Sequence, residues 1–184
     1  MPATAAPTTR RWTRQEYHDL AEAGFLGEDD PVELIEGEII QMSPQNTPHA
    51  VAVRLVRRAL QRVFAEDTYM VDEQLPLALA PDSEPEPDVA VVEGQPRDFL
   101  DDHPAMAVLV VEVADASLQF DQDKKQTLYA RHGLPEYWIV NLVDRQLEVY
   151  RGPTGESYAE TTVHTAEETV ALREQSVAVS DVLP

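Results

Sequence analysis

Two acidic residues lie inside apolar stretches of the sequence, where an ionised carboxylate is costly to bury without a compensating charge. Asp88 follows a proline and opens one apolar run, and Glu112 lies within a second run two dozen residues later. A divalent cation shared by the two side chains would supply the missing charge and could also do chemistry. Lys124 and Lys125 follow on a predicted helix. The order acid, acid, lysine is typical of metal-dependent nucleases.

The chemistry that this set could perform is hydrolysis of a phosphodiester bond. Mg²⁺ prefers oxygen ligands and keeps several waters, so two carboxylates and one main-chain carbonyl, for which Val113 is the natural choice, would suffice to hold it. Lys125 would lie near a metal-bound water and either orient or deprotonate it, or stabilise the pentavalent phosphate. Asp121 stands four residues before Lys125 and is placed to pair with its amine. The simpler alternative for this last pair is an ordinary ion pair on a helix surface.

The composition limits what the chain can bind. The 184 residues carry a net charge of −20, and sixteen acidic residues accompany a single arginine between residues 66 and 123. Such a surface repels phosphate, so any contact with nucleic acid must be local, and solubility alone is the simpler explanation of most of these acids. The absence of cysteine excludes disulfides, thiolate metal sites and cysteine nucleophiles. No apolar stretch is long enough for a membrane span and residues 1–9 lack a signal-peptide core, so the cytoplasm is the expected compartment.

The pattern of apolar and turn residues predicts a mixture of helices and strands. Thr13 and Glu16 form a capping-box pattern at the start of a helix, and Glu36-Gly37 is typical of the turn of a β-hairpin. Helices are predicted for 49–64 and 117–133, and strands for 69–79, 89–93, 107–114, 136–140 and 146–150, with short strands in the tail from 158. The two candidate acids would therefore lie on buried strands, and the lysines on the helix that follows.

A stripe of arginines shares one face of the helix predicted for 49–64. Its members are Arg54, Arg57, Arg58 and Arg62. An ion-paired solvent face or a dimer contact explains the stripe without nucleic acid, whereas contact with backbone phosphates is the functional alternative. His49 begins the same helix and could contact a phosphate at the helix N-terminus, or be a partly exposed structural histidine.

Several ordered segments together resemble the Uma-type putative restriction endonucleases, a family of the PD-(D/E)XK nuclease superfamily. In chain order they are Glu33 to Ile39, Met42-Ser43-Pro44, Glu86-Pro87-Asp88-Val89, Val111-Glu112-Val113, Asp121 with Lys125 and Tyr129, and Gly133 to Trp138. The resemblance extends from about Thr13 to Tyr150. The ordered combination is far more specific than any one segment.

The resemblance implies an α/β fold of the restriction-endonuclease-like type, with a mixed central β-sheet flanked by helices and with an N-terminal helix and a β-hairpin. It also implies a divalent metal held by Asp88 and Glu112, and a role for Lys125. One position departs from the superfamily pattern, because Ala114 stands two residues after Glu112, where the lysine of the E-x-K motif is usual. The lysine would have to come from the helix, with Lys124 as the second choice.

An additional acid from N-terminal structure is also implied by the resemblance. The predicted hairpin offers Glu33 and Glu38, of which Glu33 is the better match, although strand alternation alone does not assign the two to a common face across a turn. Gln74 is a further candidate to support the site from the adjacent strand.

The leading hypothesis is a Mg²⁺-dependent DNA endonuclease, with Mn²⁺ as a substitute ion, in which metal-activated water attacks a phosphodiester. The alternative is a catalytically inactive module of the same fold that binds nucleic acid or a protein partner. A third hypothesis is a metal-dependent hydrolase of small phosphate esters. The expected organisation is a flexible leader over residues 1–12 and one nuclease-like domain over 13–184, assembled as a homodimer or higher homo-oligomer away from membranes.

Overall fold

The first helix begins at the predicted capping box. The computed structural model describes residues 8–27 and 30–184. Helix α1 (Arg14–Glu22) starts where the Glu16 N–H donates to the Thr13 hydroxyl and the Glu16 carboxylate accepts from the Thr13 N–H. These reciprocal bonds satisfy two donors that a helix N-terminus otherwise leaves without partners.

The predicted hairpin forms between two short strands. Strand β1 (Val32–Ile35) pairs antiparallel with β2 (Glu38–Gln41). The turn residues Glu36 and Gly37 both have positive φ, at 49° and 75°, as a tight two-residue hairpin turn requires. The hairpin places Glu33 on a buried strand.

The predicted leader, residues 1–12, lies partly outside the described residues. Its described end contacts the hairpin turn, because the Trp12 N–H donates to the Gly37 carbonyl at 2.9 Å. The Arg11 guanidinium also donates to the Glu36 carbonyl at 2.6 Å. This end of the segment is therefore held against the hairpin by hydrogen bonds.

Helix α2 (Thr47–Val63) packs one apolar face against the central sheet. It begins two residues before the predicted start, because Asn46 accepts from the His49 N–H at 3.0 Å and Pro48 suits the first helical turn. Its buried residues are Ala52, Val53, Val56, Ala59 and Leu60. Among the described residues, neither this helix nor any other is long and apolar enough to cross a lipid bilayer.

Six strands form the mixed central sheet that the sequence predicts. Strands β5 and β6 pair in parallel, and the other neighbouring pairs are antiparallel. The predicted strand over 69–79 is shorter than expected, because Gln74 has a positive φ and Pro76 has no N–H to donate. In spatial order the strands are β3 (Tyr69–Glu73), β4 (Val89–Glu93), β5 (Leu109–Ala114), β6 (Glu136–Asn141), β7 (Gln146–Thr154) and β8 (Ser157–Thr165).

The tail contains one long strand and a small hairpin. Strand β8 has nine residues and pairs along β7, so it is longer than the short strands predicted for the tail. The remaining strands, β9 (Thr169–Leu172) and β10 (Gln175–Ala178), pair with each other.

The helix predicted for 117–133 forms with a π turn in its middle. The Gln126 N–H donates to the Asp121 carbonyl five residues earlier, and the Tyr137 hydroxyl donates to the same carbonyl at 3.2 Å. A π turn widens the helix and changes which side chains face the sheet. The parts are α3 (Leu118–Phe120), the π turn (Asp121–Lys125) and α4 (Gln126–Arg131).

Apolar clusters cover both faces of the central sheet. One contains the buried face of α2 with Val89 and Val111, and the other contains residues of α4 with Ala90 and Val110. Because strand side chains alternate, Asp88 and Glu112 point to the α4 face, as Ala90 and Val110 do. The fold thus directs both acids toward the helix that carries the lysines.

Candidate active site

The two acids that the sequence singles out meet at one end of neighbouring strands. Strand β4 begins directly after Asp88, and its register with β5 sets Val89 opposite Val111, which brings Asp88 opposite Glu112. The Val113 N–H donates to Asp88 Oδ2 at 2.8 Å, and the Asp88 N–H lies 3.5 Å from Glu112 Oε2. Asp88 is 9% exposed and Glu112 is 3% exposed. The two carboxylates are therefore close together and largely desolvated.

Lys125 reaches these acids from the π turn. Its side chain is 1% exposed, and its Nζ donates to Glu112 Oε1 at 3.0 Å and to Glu33 Oε1 at 3.1 Å. Glu33 Oε2 is also 3.1 Å from Nζ, but the angle forms no hydrogen bond and leaves this buried oxygen without a donor. The helix thus supplies a lysine next to Glu112, although Ala114 stands at the position usual in the superfamily.

Four carboxylates surround the single ammonium group of Lys125. Burial lowers the pKa of Lys125, but Glu112, Glu33, Asp121 and Asp88 outweigh it and hold the pKa well above its usual value. Lys125 is therefore a cation at neutral pH. Negative charge exceeds positive charge in this cluster, which favours binding of a proton or a further cation.

Burial also acts on the carboxyl groups of the cluster. It raises the pKa of Glu112 well above the usual value, against the opposing effect of Lys125. It raises the pKa of Asp121 to about 6. Glu86 lines the same pocket, and its pKa is raised by burial and by Glu33 and Glu84. Burial, together with the neighbouring acids, thus gives these carboxyl groups a higher affinity for protons.

Asp121 lies in the cluster but has a different partner from the one that the sequence predicts. Its Oδ2 accepts from the Ser117 hydroxyl at 2.6 Å, whereas the Lys125 amine donates to Glu112 and Glu33. The spacing of four residues predicts an ion pair only in a regular α-helix, and the π turn changes that geometry.

A pocket of about 410 Å³ opens over the cluster. Its lining includes the carboxylates of Glu33, Glu86, Asp88, Glu112, Asp115 and Asp121, together with His49 and Lys125. Apolar side chains, among them Met42, Pro44 and Phe120, complete the wall. The buried acids are therefore accessible to a small ligand from one side.

The N-terminus of α2 borders the pocket. His49 Nε2 lies 3.2 Å from Asp88 Oδ2, and its buried Nδ1 has no hydrogen-bond partner. Burial lowers the pKa of His49, but Asp88 and the Val113 backbone outweigh it, so the pKa is raised. Asn46 lines the pocket too, and its amide donates to Asp115 at 2.7 Å.

Three of the predicted supporting residues form no contact with the acid cluster through their side chains. The Glu38 side chain is 44% exposed and pairs with Arg11 at 2.9 Å, and the Lys124 side chain is 51% exposed and pairs with Glu36 at 3.3 Å. Lys124 lies one residue away from Lys125, so the helix turns it toward a different side. Gln74 lines the pocket but its side chain forms no hydrogen bond with a described residue, and its main-chain N–H is directed at the carbonyls of Pro87 and Asp88.

The arginine stripe lies on the exposed side of α2 and does not line the pocket. Arg57 lies 3.6 Å from Glu73, and Arg62 pairs with Asp181 at 2.6 Å. Arg54 and Arg58 form no ion pair with any residue that the structure describes. Two of the four arginines thus keep their charge available to an external partner.

Two hydroxyl groups at the site were not predicted from the sequence as site residues, although Tyr129 stands in one of the segments that resemble the family. Tyr129 donates to Glu112 Oε1 at 2.7 Å, and Ser117 donates to Asp121. The available signal was spacing, because Tyr129 follows Lys125 by four residues on the helix and Ser117 precedes Asp121 by four. A tyrosine among apolar helix residues is equally typical of a core, so the spacing alone does not identify it.

The donor set fits a divalent ion that keeps most of its water. Over residues 8–27 and 30–184, no three His, Asp or Glu side chains form a ready-made metal cage. Mg²⁺ is usually held by one or two carboxylates and completes its shell with water. Glu33 Oε2 lacks a donor, Glu112 Oε2 has only the 3.5 Å contact, and Asp88 Oδ1 accepts no hydrogen bond from the described residues. These oxygens and the negative surplus suit a hydrated cation.

Comparison with known proteins identifies a family and a solved structure that matches over most of both chains. The model of the Uma2 family, described as "Putative restriction endonuclease", matches residues 14–180. The crystal structure of a putative nuclease belonging to DUF820 from Anabaena variabilis superposes with a TM-score of 0.73 at 19% identity, over 92% of this chain and 96% of that chain. The type IIG restriction endonuclease BpuSI gives a TM-score of 0.39 at 14% identity, over 60% of this chain and 12% of that chain. No curated protein sequence matches.

Replacing the buried ammonium tests whether the acid cluster depends on it. We expect Lys125→Met to lower the free energy of unfolding by about 3–5 kcal/mol, because it leaves buried carboxylates without their cation. A carboxyl group whose pKa is raised in the folded protein binds its proton more tightly there than in the unfolded chain, so the folded protein loses stability as the pH rises. The destabilisation caused by Lys125→Met should therefore be larger at about pH 8 than at about pH 5.5. Urea denaturation at both pH values measures this.

Lys124→Met is the matched control, since Lys124 is the neighbouring residue with an exposed ion pair. It should change the free energy of unfolding by less than about 1 kcal/mol at either pH. Equal effects of the two substitutions would contradict the charge argument.

Proposed function

The chain belongs to the Uma2 family of putative restriction endonucleases, and on this basis we propose that it is a metal-dependent endonuclease that hydrolyses phosphodiester bonds of DNA. The observation that carries the proposal is the meeting of Asp88, Glu112 and Lys125 at one pocket. Two acids and a lysine are the groups that such a reaction needs, and here three separate elements bring them together. The fold shared with the Anabaena variabilis structure is consistent with this proposal.

In this proposal Asp88 and Glu112 hold the divalent ion, with the Val113 carbonyl as a further ligand. Mg²⁺ is the expected ion, and Mn²⁺ is its substitute. When bound, the ion supplies positive charge beside the scissile phosphate and lowers the pKa of water. The hydrogen bond from the Val113 N–H fixes Asp88 Oδ2, and Oδ1 accepts no hydrogen bond from a described residue.

Lys125 acts as a cation in the proposed reaction. Glu112 and Glu33 both accept hydrogen bonds from its ammonium group, at 3.0 and 3.1 Å, which is the arrangement of a charged lysine. Its charge can stabilise the negative charge that develops on the phosphate. Both oxygens of the Glu33 carboxylate lie 3.1 Å from Nζ, so Glu33 would fix the direction of the Lys125 side chain.

Binding of the substrate backbone is assigned to α2. The helix N-terminus borders the pocket, where main-chain N–H groups and the helix dipole favour a phosphate, and His49 lies beside it. Arg54 and Arg58 extend a positive surface along the same helix. A few local contacts of this kind are compatible with the net charge of −20. The proposal includes a homodimer or higher homo-oligomer, in which two sites would cut the two strands of a duplex together.

One observation favours the alternative of a non-catalytic module. Lys125 already neutralises part of the charge of Glu33 and Glu112, so the cluster could be a structural ion-pair network. That function would retain a stable fold and a binding surface on α2 without hydrolysis. The cleavage experiment separates the two.

We expect the protein to nick or linearise plasmid DNA with Mg²⁺ or Mn²⁺ and to lose this activity with a chelator. Asp88→Asn and Glu112→Gln keep the side-chain shape but remove the charge that holds the ion, so the rate should fall at least about a hundredfold. Gel analysis of plasmid conversion measures it. The controls are Glu38→Gln and Lys124→Met, which remove charges outside the pocket and should cleave normally.

Unchanged cleavage by Asp88→Asn would show that the site is assigned wrongly. A folded wild-type protein that binds DNA but cleaves neither DNA nor RNA with either ion would support the non-catalytic module.

The arginine surface is tested by the salt dependence of DNA binding. We expect Arg54→Ala and Arg58→Ala each to weaken binding and to reduce the slope of log K against log salt by about one, because each removes one phosphate contact. Fluorescence anisotropy with a labelled duplex and Ca²⁺ in place of Mg²⁺ measures both quantities. Arg97→Ala is the control, an exposed arginine on the turn between β4 and β5. If both variants have the wild-type slope, Arg54 and Arg58 of α2 do not contact the DNA phosphates.

A further inference from the structure

Two donors from one helix converge on a single oxygen of Glu112. The Tyr129 hydroxyl donates to Oε1 at 2.7 Å, and the Lys125 amine donates to the same oxygen at 3.0 Å. Both side chains are almost completely buried, and they are four residues apart. The other oxygen, Oε2, has only the 3.5 Å contact with the Asp88 N–H. The two oxygens of this carboxylate are therefore in unequal environments.

The difference in hydrogen bonding between Oε1 and Oε2 fixes the orientation of the Glu112 carboxylate. A carboxylate oxygen accepts about two hydrogen bonds, so Oε1 is fully used by Tyr129 and Lys125. Oε2 lies on the side of Asp88 and keeps its capacity to bind a ligand. Without the hydroxyl, Lys125 would be the one strong partner of Glu112, and the carboxylate could turn to present both oxygens to the ammonium.

Tyr129 differs in this respect from the tyrosines packed around it. The Tyr137 and Tyr158 hydroxyls donate to the main-chain carbonyls of Asp121 and Leu134 at 3.2 and 3.0 Å. Tyr150 donates to Glu148, which does not line the pocket. Within the described chain, Tyr129 is the member of this group that contacts an acid of the proposed metal site.

We propose that Tyr129 is a positioning residue that reserves Glu112 Oε2 for the divalent ion by holding Oε1. The inference rests on the proposed function, because it assumes that Glu112 and Asp88 share the ion. It goes beyond that function by assigning which oxygen binds and which residue selects it.

The test compares two tyrosine-to-phenylalanine substitutions in the full chain. Tyr129→Phe keeps the ring and its packing but removes the hydroxyl from Glu112. Tyr158→Phe removes a buried hydroxyl from a backbone carbonyl away from the site. Isothermal titration with Mn²⁺ measures the affinity for the ion, and urea denaturation measures the loss of stability.

We expect both variants to lose a similar amount of stability but to differ in metal affinity. Tyr129→Phe should weaken Mn²⁺ binding by about tenfold to a hundredfold, the usual effect of removing a partner that orients a metal ligand. Tyr158→Phe should bind Mn²⁺ as the wild type does. In a cleavage assay, Tyr129→Phe should need a correspondingly higher Mn²⁺ concentration for half-maximal rate, with a smaller change in the rate at saturating metal.

Wild-type affinity in Tyr129→Phe would overturn the inference, and so would an equal loss of affinity in both variants. These outcomes leave the proposed function intact as long as Glu112→Gln weakens Mn²⁺ binding. If the wild-type protein binds no Mn²⁺, or if Glu112→Gln binds it normally, the proposed function fails and the inference fails with it.

Discussion

The structure of the candidate site depends on the compensation of buried negative charge. Asp88 and Glu112 are directed to one face of an apolar sheet by strand alternation, and ionised carboxylates there are unfavourable without a cation. The Lys125 ammonium supplies one positive charge through contacts of 3.0 and 3.1 Å with Glu112 and Glu33. One lysine does not balance the surrounding carboxylates, and in the proposed function a divalent ion would offset this remaining negative charge.

Elements on several sides hold the charged groups in place. Glu36, in the hairpin turn that follows Glu33, pairs with Lys124 and Arg131 of the helical segment, so the hairpin is held against it. The π turn is held from the opposite side, since Gln122 donates to both oxygens of the buried Glu148 at 3.0 Å. Asn141 and Tyr150 complete the hydrogen bonding of that carboxylate. The position of Lys125 is thus set by contacts with the hairpin, the sheet and the helix together.

Much of this arrangement could be predicted because some signals are local in the sequence. The capping box at Thr13, the hairpin turn at Glu36-Gly37 and the acids within apolar strands each follow from a few neighbouring residues, and the structure contains all three elements. The mixed sheet and its flanking helices were likewise predicted from the resemblance to a known family. Chains with such consistent local patterns favour a single fold.

Other features depend on geometry that the sequence does not encode locally. The π turn has no recognisable sequence signal, yet it brings Lys125 to Glu112 and Glu33 while Asp121 takes Ser117 as its partner. Of the two hairpin glutamates, Glu33 is buried and Glu38 pairs with Arg11, a difference set by the packing of residues distant in the chain. Tyr129 was missed as a site residue because a buried tyrosine on a helix is equally consistent with a core.

The most direct measurement is anomalous diffraction from crystals of the wild-type protein soaked in Mn²⁺. If the buried carboxylates share an ion, the strongest anomalous peak will lie within coordination distance of both Asp88 and Glu112, with Lys125 still beside Glu112. A peak bound to other residues, or none at a Mn²⁺ concentration that supports cleavage, would contradict the shared site.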